Sequence, residues 1–178
     1  MGNKNYRGSA AQVRPSSKFL AETPKARPFI ELSALTQHPA ITIIDNKHIS
    51  IYIEMCPSVA EHPITDMPAL LAALPEYKYI KKLSVKIHAP WPKTECRKFY
   101  NNRVSLIKKL FAIINAFKLC RLKVIMSIDG LNFPQMKLGA AVHELKFKKW
   151  QLFYQVYDEA KELEGDAIKI YQDGKYLE

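Results

Sequence analysis

Three segments of this chain repeat one phrase, a basic cluster running into an alternating apolar strand: Lys81-Lys82-Leu83-Ser84-Val85-Lys86-Ile87, Arg121-Leu122-Lys123-Val124-Ile125-Met126-Ser127-Ile128, and Lys148-Lys149-Trp150-Gln151-Leu152-Phe153-Tyr154-Gln155-Val156. The stretches between them carry helix patterns, so the order strand, helix, strand, helix, strand predicts crossover units feeding the parallel part of a mixed α/β sheet. Within the phrases Leu83, Val85, Ile87, Leu122, Val124, Met126, Ile128, Trp150, Leu152, Tyr154 and Val156 point one way. Ser84, Lys86, His88, Lys123, Ser127, Asp129, Gln151 and Gln155 point the other. Parallel strands covered on both faces read as continuous apolar runs, so this alternation predicts helices mainly on one face and an open strand face, as in a leucine-rich-like solenoid. Ile125 and Phe153 interrupt the polar face and fit either a patch on it or a core beneath the N-terminal hairpin.

That hairpin is read from two β-branched runs, 41–44 and 49–53, separated by the turn-rich Asp45-Asn46-Lys47-His48. Thr65 or Asp66 caps a short helix over 67–74 that Pro75 stops. The strongest helix pattern covers 95–117, capped by Thr94. Its stripe is Phe99, Arg103, Leu106, Leu110, Ile113 and Phe117, joined by Ile107, Phe111 and Ile114. A second crossover helix, over 133–145, starts at Asn132 with Pro134 in its first turn, and Gly139-Ala140-Ala141 offers small residues toward the sheet. Leu83, Val85, Leu122, Val124, Leu152, Leu106, Leu110 and Ile113 are expected in one core. The acidic run Asp158, Glu159, Glu162 and Glu164 reads as the solvated face of a linker or short helix. Residues 1–28, with six Lys or Arg, Glu22 and three prolines, read as a mobile basic tail ahead of a single α/β domain over 29–178.

Charge is unevenly placed. Of the net +10, residues 78–149 hold 17 Lys or Arg against three Asp or Glu, while 1–77 are balanced and 150–178 are acidic. Such a block attracts polyanions, although lysines on a helix face also serve solubility alone. Cys56, Cys96 and Cys120 are odd in number and contain no Cys-x-x-Cys pair, which predicts free thiols in a reducing, intracellular setting, cytoplasm or nucleus. The arginines ahead of Glu22 resemble a mitochondrial presequence in composition, but amphipathic periodicity is poor; Tyr6 stands where a myristoylation signal needs Ser or Thr. No apolar run approaches the roughly 18 residues of a membrane span.

No glycine-rich strand-to-helix loop is present, which argues against a nucleotide site, and no cofactor is expected. His38, His48, Cys56 and His62 follow no metal-ligand spacing, and no metal is expected. His88 and His143 are isolated in sequence from Cys96 and Cys120, so neither nucleophilic catalysis nor a small-molecule substrate is indicated.

The run 79–87, the long helix, the strand 119–128 and Leu145-Lys146-Phe147-Lys148-Lys149-Trp150 together resemble the region that follows the F-box in ascomycete F-box and leucine-rich-like proteins. The resemblance covers 75–177 and implies an adaptor whose repeats hold a target protein. Leu74-Pro75-Glu76 is similar to an F-box opening but follows a helix where the family has it leading one. Residues and resemblance together predict a non-enzymatic domain that binds a protein partner, suited to an acidic one. The partner-binding set is Lys81, Lys82, Lys86, Arg121, Lys123, Lys148, Lys149 and Gln155, because parallel strands bring all strand starts to one edge. The competing expectation is an RNA-binding protein using the basic region and tail, with Trp91, Tyr100 and Phe153 stacking on bases.

Overall fold

β1 (Ile41–Asp45) and β2 (His48–Glu54) pair antiparallel across Asn46-Lys47, and the Asp45 carboxylate closes the turn by accepting from Lys47 N at 2.7 Å. The computed structural model describes residues 32, 35, 37–56, 63–90, 97–128, 133–147, 150–158, 163–172 and 175–176; the basic tail, Trp91, Thr94, Asn132, Lys148 and Lys149 lie outside them. From β2 the sheet continues parallel through β3 (Lys82–His88), β4 (Arg121–Ile128) and β5 (Trp150–Asp158), so the three repeated phrases stand side by side. β6 (Leu163–Gln172) returns antiparallel on β5 and β7 (Lys175–Tyr176) adds to its edge, completing seven strands in chain order.

Register explains the core. Equivalent apolar positions meet rung by rung, Ile49 to Leu83 to Leu122 to Trp150, then Ile51 to Val85 to Val124 to Leu152, and all eight are buried. Because β2 to β5 advance in one direction with crossovers of one hand, α1 (Met67–Ala73), α2 (Arg97–Ile114) and α3 (Phe133–Val142) fall on the same side of the sheet. Asp66 caps α1 by accepting from Ala69 N at 3.2 Å. The α-helix ends at Ala73 with Leu74 as its C-cap, ahead of Pro75 as expected, and Leu74–Tyr77 follow as a 3₁₀ turn with Pro75 in its first positions, where a missing N–H is tolerated.

Three further expectations are corrected. Of the acidic run, Asp158 ends β5 and Glu164 lies in β6, where a linker or short helix is expected, while Glu159 and Glu162 lie outside the described residues; the alternating Ile168-Lys169-Ile170 is the strand signal beyond the carboxylates. The N-terminal hairpin lies beside β3 in the sheet plane, so it does not cover Ile125 and Phe153, both half-buried on the opposite face from the core. The buried stripe of α2 is Tyr100, Arg103, Val104, Ile107, Leu110, Phe111 and Ile114, while Phe99, Leu106 and Ile113 flank it half-buried.

Gly139 is buried in α3, yet a Cβ there would meet only the Tyr154 hydroxyl oxygen at 3.5 Å, an ordinary contact. Close approach to the sheet therefore does not require glycine. Since alanine is better than glycine in a helix interior by about 1 kcal/mol, Gly139→Ala is expected to raise stability by about 0.5 to 1 kcal/mol in urea unfolding.

Candidate interaction surface

The face of the sheet opposite the helices is built from the other half of each alternating strand. Reading across the rungs from the strand starts, His48, Lys82 and Arg121 form the first row, followed by Ser50, Ser84, Lys123 and Gln151. The third row is Tyr52, Lys86, Ile125, Phe153 and Lys169. All are half-buried except Lys82 and Arg121, which are exposed at the rim, so no described element covers these three rows. Its lysines lie over its rings: Lys123 Nζ is 4.4 Å and Lys169 Nζ 5.9 Å from the Phe153 centroid, and Lys86 Nζ is 6.0 Å from that of Tyr52. Among the described side chains of β2 to β5 the one carboxylate is Glu54, and it is buried. The accessible part of this face is thus cationic, with an apolar centre at Ile125 and Phe153.

The strand-start edge gathers the basic residues as the topology requires. Lys81 and Lys82 donate backbone N–H groups to Lys47 O, each at 2.8 Å, and Cys120 and Arg121 donate to Lys81 O, so Lys47, Lys81, Lys82 and Arg121 sit around one corner. Of the expected set, Lys81, Lys82 and Arg121 are on the edge and Lys86, Lys123 and Gln155 on the open face. Of the aromatics proposed for base stacking, Phe153 stands on the open face, but Tyr100 is 1% exposed inside the α2 stripe and is removed from that role. Arg103 is likewise 5% exposed, so it contributes nothing to the outer field.

The fourth row, at the C-terminal strand ends, is Glu54, His88, Ser127 and Gln155. His88 is isolated in sequence but not in the fold, where its Nδ1 pairs with Glu54 Oε2 at 2.8 Å. Glu54 also accepts from Cys56 N at 3.0 Å and Tyr52 Oη at 3.3 Å, while its carbonyl takes Arg103 Nη2 at 2.6 Å. Burial lowers the pKa of the Arg103 guanidinium from its ordinary value, and the Glu54 and Asp66 carboxylates oppose that shift. Carboxylate, imidazole and hydroxyl on adjacent strands are the parts of an acyl-transfer relay, and all three are buried here, Glu54 and Ser127 at 0% exposure and His88 at 3%. The row joins the strand ends to α2. The signal available in the sequence was positional: Glu54 and His88 are both the last residues of strands that align in register.

Among the described residues no group of His, Cys, Asp and Glu could hold a metal ion, and no helix is long and apolar enough to cross a membrane. A scan against protein-family models, a search of curated proteins and a search of solved structures each found nothing that matches the chain.

Proposed function

We propose that this protein is a non-catalytic binding module whose open strand face and basic strand-start edge hold an acidic, partly apolar segment of a protein partner. The observation that carries this reading is the composition of the uncovered face, where Lys82, Lys86, Arg121, Lys123 and Lys169 surround Ile125 and Phe153. Carboxylates of a partner find cations there, and an apolar side chain between them finds a centre. The adaptor class implied by the resemblance to F-box and leucine-rich-like proteins agrees with a target held on repeated strands. Three scattered cysteines, Cys56, Cys96 and Cys120, with no Cys-x-x-Cys pair, suit a reducing intracellular compartment.

A second reading, binding of single-stranded RNA, is favoured by one feature, the stacking of Lys123 and Lys169 over Phe153 and of Lys86 over Tyr52. Selection from a random peptide library on the immobilised protein, beside titration with a polyuridine probe, separates the two. Enrichment of Asp- and Glu-rich peptides supports the protein reading. RNA affinity that falls steeply with salt, by a log-log slope of about −0.7 per phosphate contacted, without such enrichment, replaces it. Reversing Lys82, Arg121 and Lys123 to Glu together is expected to weaken the selected peptides at least 100-fold. Folding should survive, since the exposed Lys82 and Arg121 contribute about 0 to 1 kcal/mol each and the half-buried Lys123 loses its contact with the Phe153 ring. Undiminished peptide binding by the folded triple variant would remove this face from consideration.

A further inference from the structure

A mismatch of strand lengths leaves a hollow beside the open face. β1 begins at Ile41, opposite Ile51, so among the described residues the last part of β2 has no strand on that side beyond the contact of Tyr52 N with Ala40 O. Thr65 supplies the pairing that a longer β1 would give: its hydroxyl accepts from Glu54 N at 3.0 Å and donates to Tyr52 O at 3.4 Å. A hydroxyl replaces the hydrogen bonds of a missing strand but not its volume. What remains is a cavity of about 550 Å³ between the start of β1, Tyr52 and the first turn of α1.

The cavity wall is mainly apolar, from Pro39, Ala40, Pro63, Ile64 and Ala69, with Ile64 exposed at 42%. Two polar side chains have capacity left. Asp66 uses Oδ1 on Ala69 N, and its second carboxylate oxygen has no hydrogen bond among the described residues. His38 Nδ1 accepts from Ala40 N at 3.1 Å, which assigns the neutral ring its proton on Nε2. An occupant that fits needs an apolar body and at least one hydrogen-bond donor. A purely apolar one would strip water from the Asp66 carboxylate without replacing the lost hydrogen bond.

We infer that this cavity is the anchor pocket of the interface and receives a tyrosine or tryptophan side chain of the partner; the inference rests on the reading of the open face as a protein-binding surface. Tyr52 makes the connection, since it lines the cavity and also stands in the Lys86–Ile125–Phe153 row of that face. The volume lies within the roughly 300 to 1,000 Å³ of pockets that enclose a compact group, and Tyr and Trp are the side chains most enriched at such anchors. A partner segment laid across the rows reaches the cavity at its β2 end, with its carboxylates on Lys82, Lys86 and Lys123 and its aromatic ring beside Asp66.

The test uses the full chain and two kinds of probe. p-Cresol and 3-methylindole mimic the side chains and toluene lacks the donor, with binding followed by NMR shifts of Ile64 and Ala69. The donor-bearing mimics are expected to bind at least ten-fold more tightly than toluene. Asp66→Ser, which keeps a capping hydroxyl for α1, should erase that preference, and Ala69→Trp, at an exposed helix position, should fill the cavity and abolish binding. In the acidic peptides selected on the open face, replacing Tyr or Trp by Ala should cost at least ten-fold on the native chain and nothing on the Ala69→Trp variant. Acidic peptides that bind without an aromatic residue would overturn the anchor while leaving the open-face reading intact. Mimics that bind without competing with those peptides would make the cavity a small-molecule site and overturn it equally, and toluene binding as tightly as p-cresol in the native chain would do so without any variant.

Discussion

Replacing Glu54 by Ala is expected to cost about 3 to 5 kcal/mol, because it breaks a buried charged network from its centre. The carboxylate is fully buried and holds three donors, His88 Nδ1, Cys56 N and Tyr52 Oη. Truncation removes the acceptor these donors share, and a hydrogen bond to a charged group contributes about 1.5 to 3 kcal/mol. The Arg103 guanidinium also loses its nearest buried carboxylate while its bond to the Glu54 carbonyl remains. Urea unfolding of Glu54→Ala beside His88→Ala and the double variant checks this. A coupling energy above about 1 kcal/mol between the two positions is expected, since residues in one network do not add. Additive losses, or a loss below about 1 kcal/mol for Glu54→Ala, would mean that the row does not join β2 to β3 as described.

How far sequence reading reached depends on whether a signal was local. The strand order and the two faces were legible because side chains alternate with a fixed period of two, and in Leu83-Ser84-Val85-Lys86-Ile87 the pattern admits one interpretation. The edge at Lys81, Lys82 and Arg121 was legible because parallel topology forces strand starts together. The pairing of Glu54 with His88 was hidden by a separation of 34 residues and becomes visible only once the in-register alignment of β2 with β3 is known. β6 was hidden differently: the carboxylates at 158, 159, 162 and 164 dominate the composition around its start, and the ladder of β5 with β6 outweighs the preference of Asp158 and Glu164 for a solvated loop. The cavity beside Thr65 has no sequence signature at all, since it arises from where β1 begins relative to β2.

The second large effect follows from the rotation of α2. Sequence periodicity placed Leu106 and Ile113 at the centre of the buried stripe with Leu110, because steps of three and four fit two adjacent stripes equally in a helix so rich in apolar residues. The structure seats Ile107, Leu110, Phe111 and Ile114 at zero exposure against the strand residues and leaves Leu106 and Ile113 on the flank. Phe111→Ala is therefore expected to lose about 3 to 5 kcal/mol, the transfer free energy of the ring plus the cavity it leaves. In a chain of this length that lowers the melting temperature by on the order of 10 °C. Leu106→Ala, which removes side-chain atoms already in contact with water, is expected to lose about 1 kcal/mol. The contrast tests the seating more sharply than either value alone. Equal losses at 106 and 111 would show α2 turned back toward the stripe that periodicity favours, and would move Arg103 away from the Glu54 carbonyl that it now holds.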